Sequence, residues 1–148
     1  MKRLISLLLA LAFLQAGLAG AEPVSVGSVK NIQGRVHIVR GGETVPAEVG
    51  SRLYQNDTIV TGEAGTIGVL FKDNSGLSMG PDSRLQITRY VFDPAASQLG
   101  FVARVTKGTM VYLSGLIAKL GRDSVRFETT TAVAGVRGTR LAIQVQGD

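Results

Sequence analysis

Side chains able to do acid–base or nucleophilic chemistry are few and widely spaced in this sequence. His37 is the single histidine, and no Ser/His/Asp motif surrounds it. A glycosidase needs two carboxyl groups that face each other, whereas the aspartates here are scattered singly. The sequence therefore predicts a protein that is not an enzyme, and a hydrolase would rest on fold analogy alone. The scattered carboxylates include Asp57, Asp73, Asp82, Asp93 and Asp123.

Metal ligands are equally scarce. The chain has no cysteine and one histidine, which excludes a zinc site with the usual ligand sets. The stretch Asp73-Asn74-Ser75-Gly76 is rich in oxygen ligands, but it lacks the spacing and the terminal glutamate of a calcium loop. A plain reverse turn explains it better, because Asp, Asn and Gly favour turns. We therefore predict neither a metal ion nor any other cofactor.

Arg137 is the residue whose neighbours most suggest a fixed role. Gly135 lies two positions before it and Gly138 directly after it. Glycines on both sides let the backbone approach another segment closely or adopt positive φ. An arginine held there can donate two hydrogen bonds at once to a carboxylate or to backbone carbonyls. An internal tie to Asp57 or Asp73, whose loss would lower stability, is the favoured interpretation, and a ligand or partner contact is the alternative.

The elements that must position these residues are short strands. Residues 66–71 place Ile67, Val69 and Phe71 on one face, and residues 125–129 and 141–146 alternate, which is typical of strands with one face buried. Nineteen glycines and few aromatic residues suit short strands joined by tight turns. We predict a hairpin about Lys107-Gly108 and one helical turn at residues 116–120. The pattern predicts an all-β fold, a single β-sandwich of many short strands.

The N-terminus has the features of a secretory signal peptide. Met1-Lys2-Arg3 is basic, and residues 4–14 form an apolar run that is too short to span a bilayer as a helix. Small residues follow, so cleavage is predicted after Ala21, with an uncleaved anchor or a buried core helix as the alternative. Residues 1–21 would then be removed. Residues 22–148 would form one periplasmic domain with no integral membrane span.

The charge of the chain gives little information about its partner. The 16 basic and 11 acidic residues of the chain leave a net charge of about +3 once the two basic residues of the signal peptide are removed. That charge suits acidic glycans or lipid head groups, although a solvated surface explains it as well. Tyr54, Tyr90 and Tyr112 would suit a sugar-stacking face, but tyrosines on strands more often lie at the core edge. No nucleic-acid partner is expected, because no basic cluster is interleaved with aromatics.

A series of short motifs runs in order along residues 34–139. They are Gly34-Arg35-Val36, residues 50–62 with Asp57-Thr58-Ile59-Val60-Thr61-Gly62 at their end, Leu70-Phe71-Lys72-Asp73-Asn74-Ser75, Pro81-Asp82-Ser83-Arg84-Leu85, Lys107-Gly108, and residues 129–139 with Val136-Arg137-Gly138-Thr139 at their end. Their order and spacing resemble the FecR domain, and the last motif is the most specific. Thr130 stands where that family often has proline, and Asn74 where it commonly has glycine. Asparagine also accepts a left-handed conformation.

The resemblance implies a periplasmic β-sandwich of jelly-roll type. In the regulators that gave the family its name, the domain follows a transmembrane helix and helps to pass a signal from an outer-membrane receptor to a sigma factor. This sequence shows no such helix after the signal peptide, so that role is not expected. The resemblance implies instead a stand-alone, non-catalytic sensing or adaptor module that binds an envelope protein.

Two further possibilities stay open. A cell-wall or polysaccharide-binding module, with glycan or peptidoglycan as its ligand, is the alternative function. An exposed sheet edge would also let the domain dimerise by strand addition. The positions matching the family motifs are candidates for structural or partner-binding roles. They are Asp57, Thr61, Gly62, Asp73, Arg137, Gly138 and Thr139.

Overall fold

Short β-strands make up most of the computed structural model, which describes residues 20–147. Residues 1–19 of the predicted signal peptide lie outside the described residues, and residues 20–26 precede the first strand without regular structure. The elements, in chain order, are β1 (Gly27–Gln33), β2 (Val36–Arg40), β3 (Glu43–Pro46), β4 (Arg52–Leu53), β5 (Thr58–Thr61), β6 (Thr66–Phe71), β7 (Gly76–Met79), β8 (Arg84–Asp93), β9 (Gln98–Leu113), α1 (Leu116–Leu120), β10 (Val125–Glu128), β11 (Val133–Gly135) and β12 (Arg140–Val145).

The strands form one continuous, curled sheet. Its main path runs β3-β2-β5-β8-β9-β7-β6-β1-β4, while β10 and β12 also pair with β9, and β11 extends β10. Among the strand pairs within residues 20–147, β9–β10 is parallel and the others are antiparallel. The all-β prediction is confirmed. The predicted sandwich and its jelly-roll arrangement are not confirmed, because hydrogen bonds link the strands into one sheet that branches at β9.

β9 is the strand about which the sheet curls. Its first part pairs with β8 as far as Lys107, and its last part pairs with β7 and β12 from Gly108 onward. The predicted hairpin at Lys107-Gly108 is therefore wrong. Gly108 has a φ of +88°, which bends the strand without reversing it, and the true hairpin is the turn at residues 94–97 between β8 and β9.

The two halves of the curled sheet face each other across one hydrophobic core. The ring centroid of Phe101 on β9 lies 4.8 Å from that of Phe71 on β6 and 5.4 Å from that of Tyr90 on β8. Phe101 also contacts Tyr112 and Phe127, at centroid distances of 5.7 and 5.6 Å. Tilted and edge-on ring pairs of this kind add stability beyond the area they bury. The core is thus built from strands that are far apart in sequence.

Sequence alternation correctly identified which side chains face this core on several strands. On β2, Val36 and Ile38 are buried whereas His37 between them is partly exposed. On β10, Val125 and Phe127 are fully buried. The helical turn predicted between two glycines is α1. Where one face of a strand is buried, the two-residue period is enough to assign the inward side chains.

The turn between β6 and β7 forms as the sequence predicts. Asn74 adopts the left-handed conformation with a φ of +64°, and its N–H donates to the carbonyl of Phe71 at 3.1 Å. Asn tolerates this conformation because its short polar side chain can bond locally. Asp73 and Ser75 on either side of it are fully buried. This turn therefore packs into the protein and does not present an open calcium loop to solvent.

The three tyrosines do not form a common sugar-stacking face. Tyr112 is 0% exposed and Tyr90 is 9% exposed, so both belong to the core. Tyr54 is half-buried, with the guanidinium of Arg40 4.6 Å from its ring centroid. Burial raises the pKa of Tyr112 to about 12. Burial, followed by the charge of Asp73, raises the pKa of Tyr90 well above its usual value.

These tyrosine pKa values predict a loss of stability at high pH. An unfolded tyrosine ionises near pH ~10, whereas folded Tyr112 keeps its proton to about pH 12. Over that interval the unfolded state binds fewer protons, so the free energy of unfolding falls by up to ~1.4 kcal/mol per pH unit for each such tyrosine. Denaturant titrations from about pH 8 to about pH 11 should show a midpoint that falls above about pH 10.

Tyr112→Phe is the control for that experiment. The Tyr112 hydroxyl is buried and has no hydrogen-bond partner among the described residues, so its removal at neutral pH should change stability by less than ~1 kcal/mol. The variant should also lose stability less steeply with rising pH than the parent protein. Parallel slopes for the two proteins would show that Tyr112 does not titrate in this way.

Candidate functional site

A cleft beside α1 contains three of the seven family-motif positions. Its volume is about 580 Å³, which is in the range of cavities that hold small ligands. One wall is α1 with the turn that follows it, and the other is the segment that joins β11 to β12. The lining residues are Ser114, Ala118, Lys119, Arg122, Asp123, Val136, Arg137, Gly138 and Thr139.

The backbone around Arg137 is anchored on both sides of it. Val136 is 5% exposed, and its N–H donates to a carbonyl of β10 at 3.1 Å. On the other side, Ser114 donates its hydroxyl to the carbonyl of Gly138 at 2.6 Å and its N–H to that of Thr139 at 2.9 Å. The Arg137 side chain between these anchors is 83% exposed. The fold therefore fixes the position from which this guanidinium projects and leaves the side chain open to solvent.

The predicted internal tie from Arg137 to Asp57 or Asp73 is wrong. The Nε and Nη2 atoms of Arg137 lie 3.1 and 3.0 Å from one oxygen, Oδ1, of Asp123. Asp123 is itself 64% exposed, so this ion pair lies at the surface. Such pairs contribute about 0–1 kcal/mol to stability, because water screens them and both side chains lose entropy.

The glycines that flank Arg137 also have no special backbone role. Neither Gly135 nor Gly138 adopts a positive φ. A Cβ atom at either position would meet nothing within 4 Å. The role predicted for these glycines is therefore wrong, and Val136 and Ser114 anchor the segment instead.

Asp57 is a structural residue whose partner is Arg40. The carboxylate is 1% exposed and accepts two hydrogen bonds from the guanidinium, Nε to Oδ1 and Nη2 to Oδ2, both at 2.8 Å. It also accepts the N–H of Tyr54, three residues before it, at 2.8 Å, and so caps that turn. The hydrogen bond from Arg40 to Asp57 raises the pKa of Arg40 further. Asp57 is thus fully engaged within the fold.

Asp73 joins the β6–β7 turn to α1. Its Oδ1 accepts hydrogen bonds from the Ser75 hydroxyl at 2.6 Å, the Ser75 N–H at 3.3 Å and the Tyr90 hydroxyl at 3.0 Å. Its Oδ2 accepts the N–H of Ile117 at 3.2 Å, and its carbonyl accepts that of Leu116 at 2.7 Å. The residue preceding α1 is a glycine and offers no side-chain cap. Asp73 therefore supplies that cap from a distant turn.

Thr61 and Gly62 lie at the end of β5, among structural contacts. The Thr61 hydroxyl donates to the carbonyl of Gly80 at 2.7 Å and accepts the N–H of Ser83 at 2.9 Å. The N–H of Gly62 donates to the carbonyl of Arg35 at 2.9 Å. Neither residue lines the cleft. The seven positions thus divide into four structural ones, before residue 74, and the three that line the cleft.

Sequence reasoning missed most of the residues that surround Arg137. Lys119, Arg122 and Ser114 were not recognised as site residues, and Asp123 was counted only as an isolated carboxylate. One signal was available, because Lys119 and Arg122 lie close to the glycine that ends α1. The pairing of this turn with a segment fifteen residues further on depends on tertiary contacts, which the local pattern does not reveal.

Polar and charged side chains make up most of the lining of the cleft. Three basic side chains and one carboxylate line it, and no nucleophile–base pair is among its lining residues. Within residues 20–147, no group of three or more His, Cys, Asp or Glu side chains could hold a metal ion. In the same part of the chain, no helix is both long and apolar enough to cross a membrane.

Comparison with known protein families gives one match. A family model described as FecR protein matches residues 57–148, which is more than half of the chain and includes all seven motif positions. Residues 34–56, which also resemble that domain, lie outside the match. No curated protein and no solved structure matches the chain significantly. On the strength of the family match, the chain belongs to the FecR family, whose domain is of a regulatory and sensing type that acts through protein–protein contacts.

Proposed function

We propose that this chain is a non-catalytic sensing or adaptor module of the periplasm, and that the cleft around Arg137 is its contact surface for an envelope protein. The observation that carries the proposal is the placement of Arg137. Its backbone is anchored on both sides, yet its side chain is 83% exposed. An arginine whose backbone is already ordered loses less entropy when a partner binds it.

The minor structural role of Arg137 supports this assignment. Its ion pair with Asp123 is exposed, and it makes no tie to the buried aspartates. Arg is enriched among the residues that dominate the energy of protein interfaces, because it combines charge, several donors and a flat surface. A motif residue that does so little for the fold is best explained by a contact outside it.

The proposed location rests on the N-terminal sequence alone. A basic start, a short apolar run and small residues before Glu22 are the features of a cleavable signal peptide. We propose that residues 1–21 are removed on export and that residues 22–148 act as one domain. Sequencing the N-terminus of the protein recovered from a periplasmic fraction tests this, and a chain that still begins at Met1 would refute the cleavage.

Arg137→Ala is expected to weaken partner capture strongly while lowering the stability of the protein only slightly. Loss of an exposed ion pair should lower the free energy of unfolding by less than ~1 kcal/mol. Loss of a central interface arginine should weaken binding by about tenfold or more. The loss of binding is measured by affinity capture from crosslinked envelope fractions, with the captured protein quantified by mass spectrometry. The change in the free energy of unfolding is measured by denaturant unfolding.

Arg84→Ala is the matched control. Arg84 is exposed, makes no salt bridge within the described residues and does not line the cleft. It should retain the captured partner in full. Equal capture by the parent protein and by Arg137→Ala would refute the proposal. So would a large loss of stability in Arg137→Ala, because it would restore the structural interpretation.

Cell-wall or polysaccharide binding is the second candidate, and the basic side chains of the cleft favour it. Lys119, Arg122 and Arg137 would suit an acidic glycan. The burial of Tyr90 and Tyr112 removes the stacking face that would strengthen this candidate. Co-sedimentation with peptidoglycan that is lost in Arg137→Ala, with no protein captured, would favour it over the adaptor role.

A further inference from the structure

We propose that Asp123 occupies the partner's place on Arg137, and that the natural occupant of the cleft is an acidic peptide segment whose carboxylate displaces Asp123. This inference rests on the proposed function, since it identifies the chemistry of the partner at the same cleft. It assigns to Asp123 the role of an internal competitor. Removal of its charge should therefore strengthen binding.

Two Arg–Asp pairs in this chain differ in a way that supports the exchange. Arg40 donates two parallel hydrogen bonds of 2.8 Å to Asp57, one to each carboxylate oxygen, and that carboxylate is 1% exposed. Arg137 directs both Nε and Nη2 to a single oxygen of Asp123, at 3.1 and 3.0 Å. In the Arg137–Asp123 pair, the second carboxylate oxygen, Oδ2, receives no hydrogen bond from the guanidinium. A bidentate carboxylate is therefore a better partner for Arg137 than Asp123 is.

Exposure makes this pair exchangeable. Arg137 is 83% exposed and Asp123 is 64% exposed, so water can hydrate both charges when the pair separates. An exposed pair is worth about 0–1 kcal/mol, which a bidentate contact in a more enclosed setting exceeds. The Arg40–Asp57 pair, in contrast, could not be opened without leaving Asp57 as an unpaired buried charge.

The rest of the cleft favours an acidic segment. Lys119 and Arg122 add two positive charges beside the ion pair, so displacing Asp123 leaves three cations facing the occupant. Such a grouping raises both the association rate and the affinity of negatively charged partners at low salt.

The occupant is best described as a peptide. The chain seats a carboxylate on Arg137 already, which identifies the class of group that the guanidinium accepts. Ala118, which is partly exposed, lines the cleft with apolar surface that suits the methylene groups of a glutamate side chain. The exposed residue Thr139 has a hydroxyl that can hydrogen-bond a peptide backbone. A cleft of about 580 Å³ can hold only a few residues of such a segment.

A titration with fluorescein-labelled hexaglutamate tests the proposal, with labelled hexaglutamine as the uncharged control. Asp123→Asn should bind hexaglutamate about 3–10-fold more tightly than the parent protein, because the competitor has lost its charge. Asparagine is nearly isosteric and tolerates the φ of +60° at this position, so the turn should be kept. Arg137→Ala should bind at least about tenfold more weakly, and added salt should weaken binding to the parent protein.

The outcomes separate this inference from the proposed function. Unchanged or weaker hexaglutamate binding by Asp123→Asn would overturn the competitor role. If Arg137→Ala loses the captured envelope protein but no variant binds hexaglutamate, the cleft is the contact surface and its acidic occupant is refuted. Tighter binding of Asp123→Asn to polygalacturonate or to anionic lipid vesicles, without hexaglutamate binding, would refute the peptide as occupant.

Discussion

Asp73→Ala should lower the free energy of unfolding by about 3–5 kcal/mol. The Asp73 carboxylate is 0% exposed and accepts hydrogen bonds from Ser75, Tyr90 and Ile117. Alanine would leave these buried donors without an acceptor. Each such orphan costs about 1–3 kcal/mol, and the sum is reduced by local relaxation.

The substitution should also disturb α1 selectively. The Asp73 side chain caps α1 by accepting the N–H of Ile117, and alanine would remove this acceptor while keeping the backbone carbonyl that accepts the N–H of Leu116. The helix is only five residues long. A helix this short has little stability of its own and depends on its tertiary contacts. Because Ala118 and Lys119 of α1 line the cleft, loss of the cap should also loosen one wall of the site.

Asp93→Ala and Asp73→Asn complete the experiment. Asp93 is exposed and accepts one long hydrogen bond from the N–H of Ala96, so its removal should cost less than ~1 kcal/mol. Asp73→Asn keeps one carbonyl oxygen for Ser75 and Tyr90 but presents an amide NH2 group in place of the second acceptor. Its loss of stability should therefore lie between those of Asp93→Ala and Asp73→Ala. Denaturant midpoints rank the three variants, and hydrogen exchange at Ile117 reports on the helix. An Asp73→Ala midpoint equal to that of Asp93→Ala would contradict the structural role.

Local patterns predicted the strands and turns of this domain well where one face of a strand is buried. The alternation at Ile67, Val69 and Phe71, and the left-handed Asn74, are set by neighbours close in sequence. The pattern failed at Lys107-Gly108, because a glycine between two apolar runs is equally compatible with a hairpin and with a bent, continuous strand. The choice is made by β8 and β7, which pair with the two parts of β9.

The site was predicted less well, for a related reason. The family motif identified Arg137, Gly138 and Thr139, but the sequence could not tell whether the arginine points inward. Its exposure follows from the burial of Val136 and from the hydrogen bonds of Ser114, a residue 24 positions away from Gly138. The predicted tie from Arg137 to Asp57 was wrong because Asp57 already binds Arg40, and no local motif indicates that pair.

Gly108→Ala should lower the free energy of unfolding by about 2–4 kcal/mol. Part of the loss, about 1–2 kcal/mol, is the cost of a φ of +88° for a residue with a Cβ atom. The rest comes from contact, because that Cβ would meet the Ser83 hydroxyl and lie 2.5 Å from the Cα of Ser83. Ser83 cannot easily move away, since Thr61 accepts its N–H at 2.9 Å and donates an N–H to its carbonyl at 3.0 Å.

Gly50→Ala separates these two contributions. Gly50 has a φ of +91°, nearly the same as Gly108, but a Cβ there would meet nothing within 4 Å. Its replacement should cost only the conformational part, about 1–2 kcal/mol. Denaturant midpoints of the two variants therefore measure how strongly Ser83 restricts the bend of β9. Equal losses would mean that the contact with Ser83 relaxes freely. A larger loss at Gly108 would show that the Thr61–Ser83 contacts hold the bend that joins the two halves of the sheet.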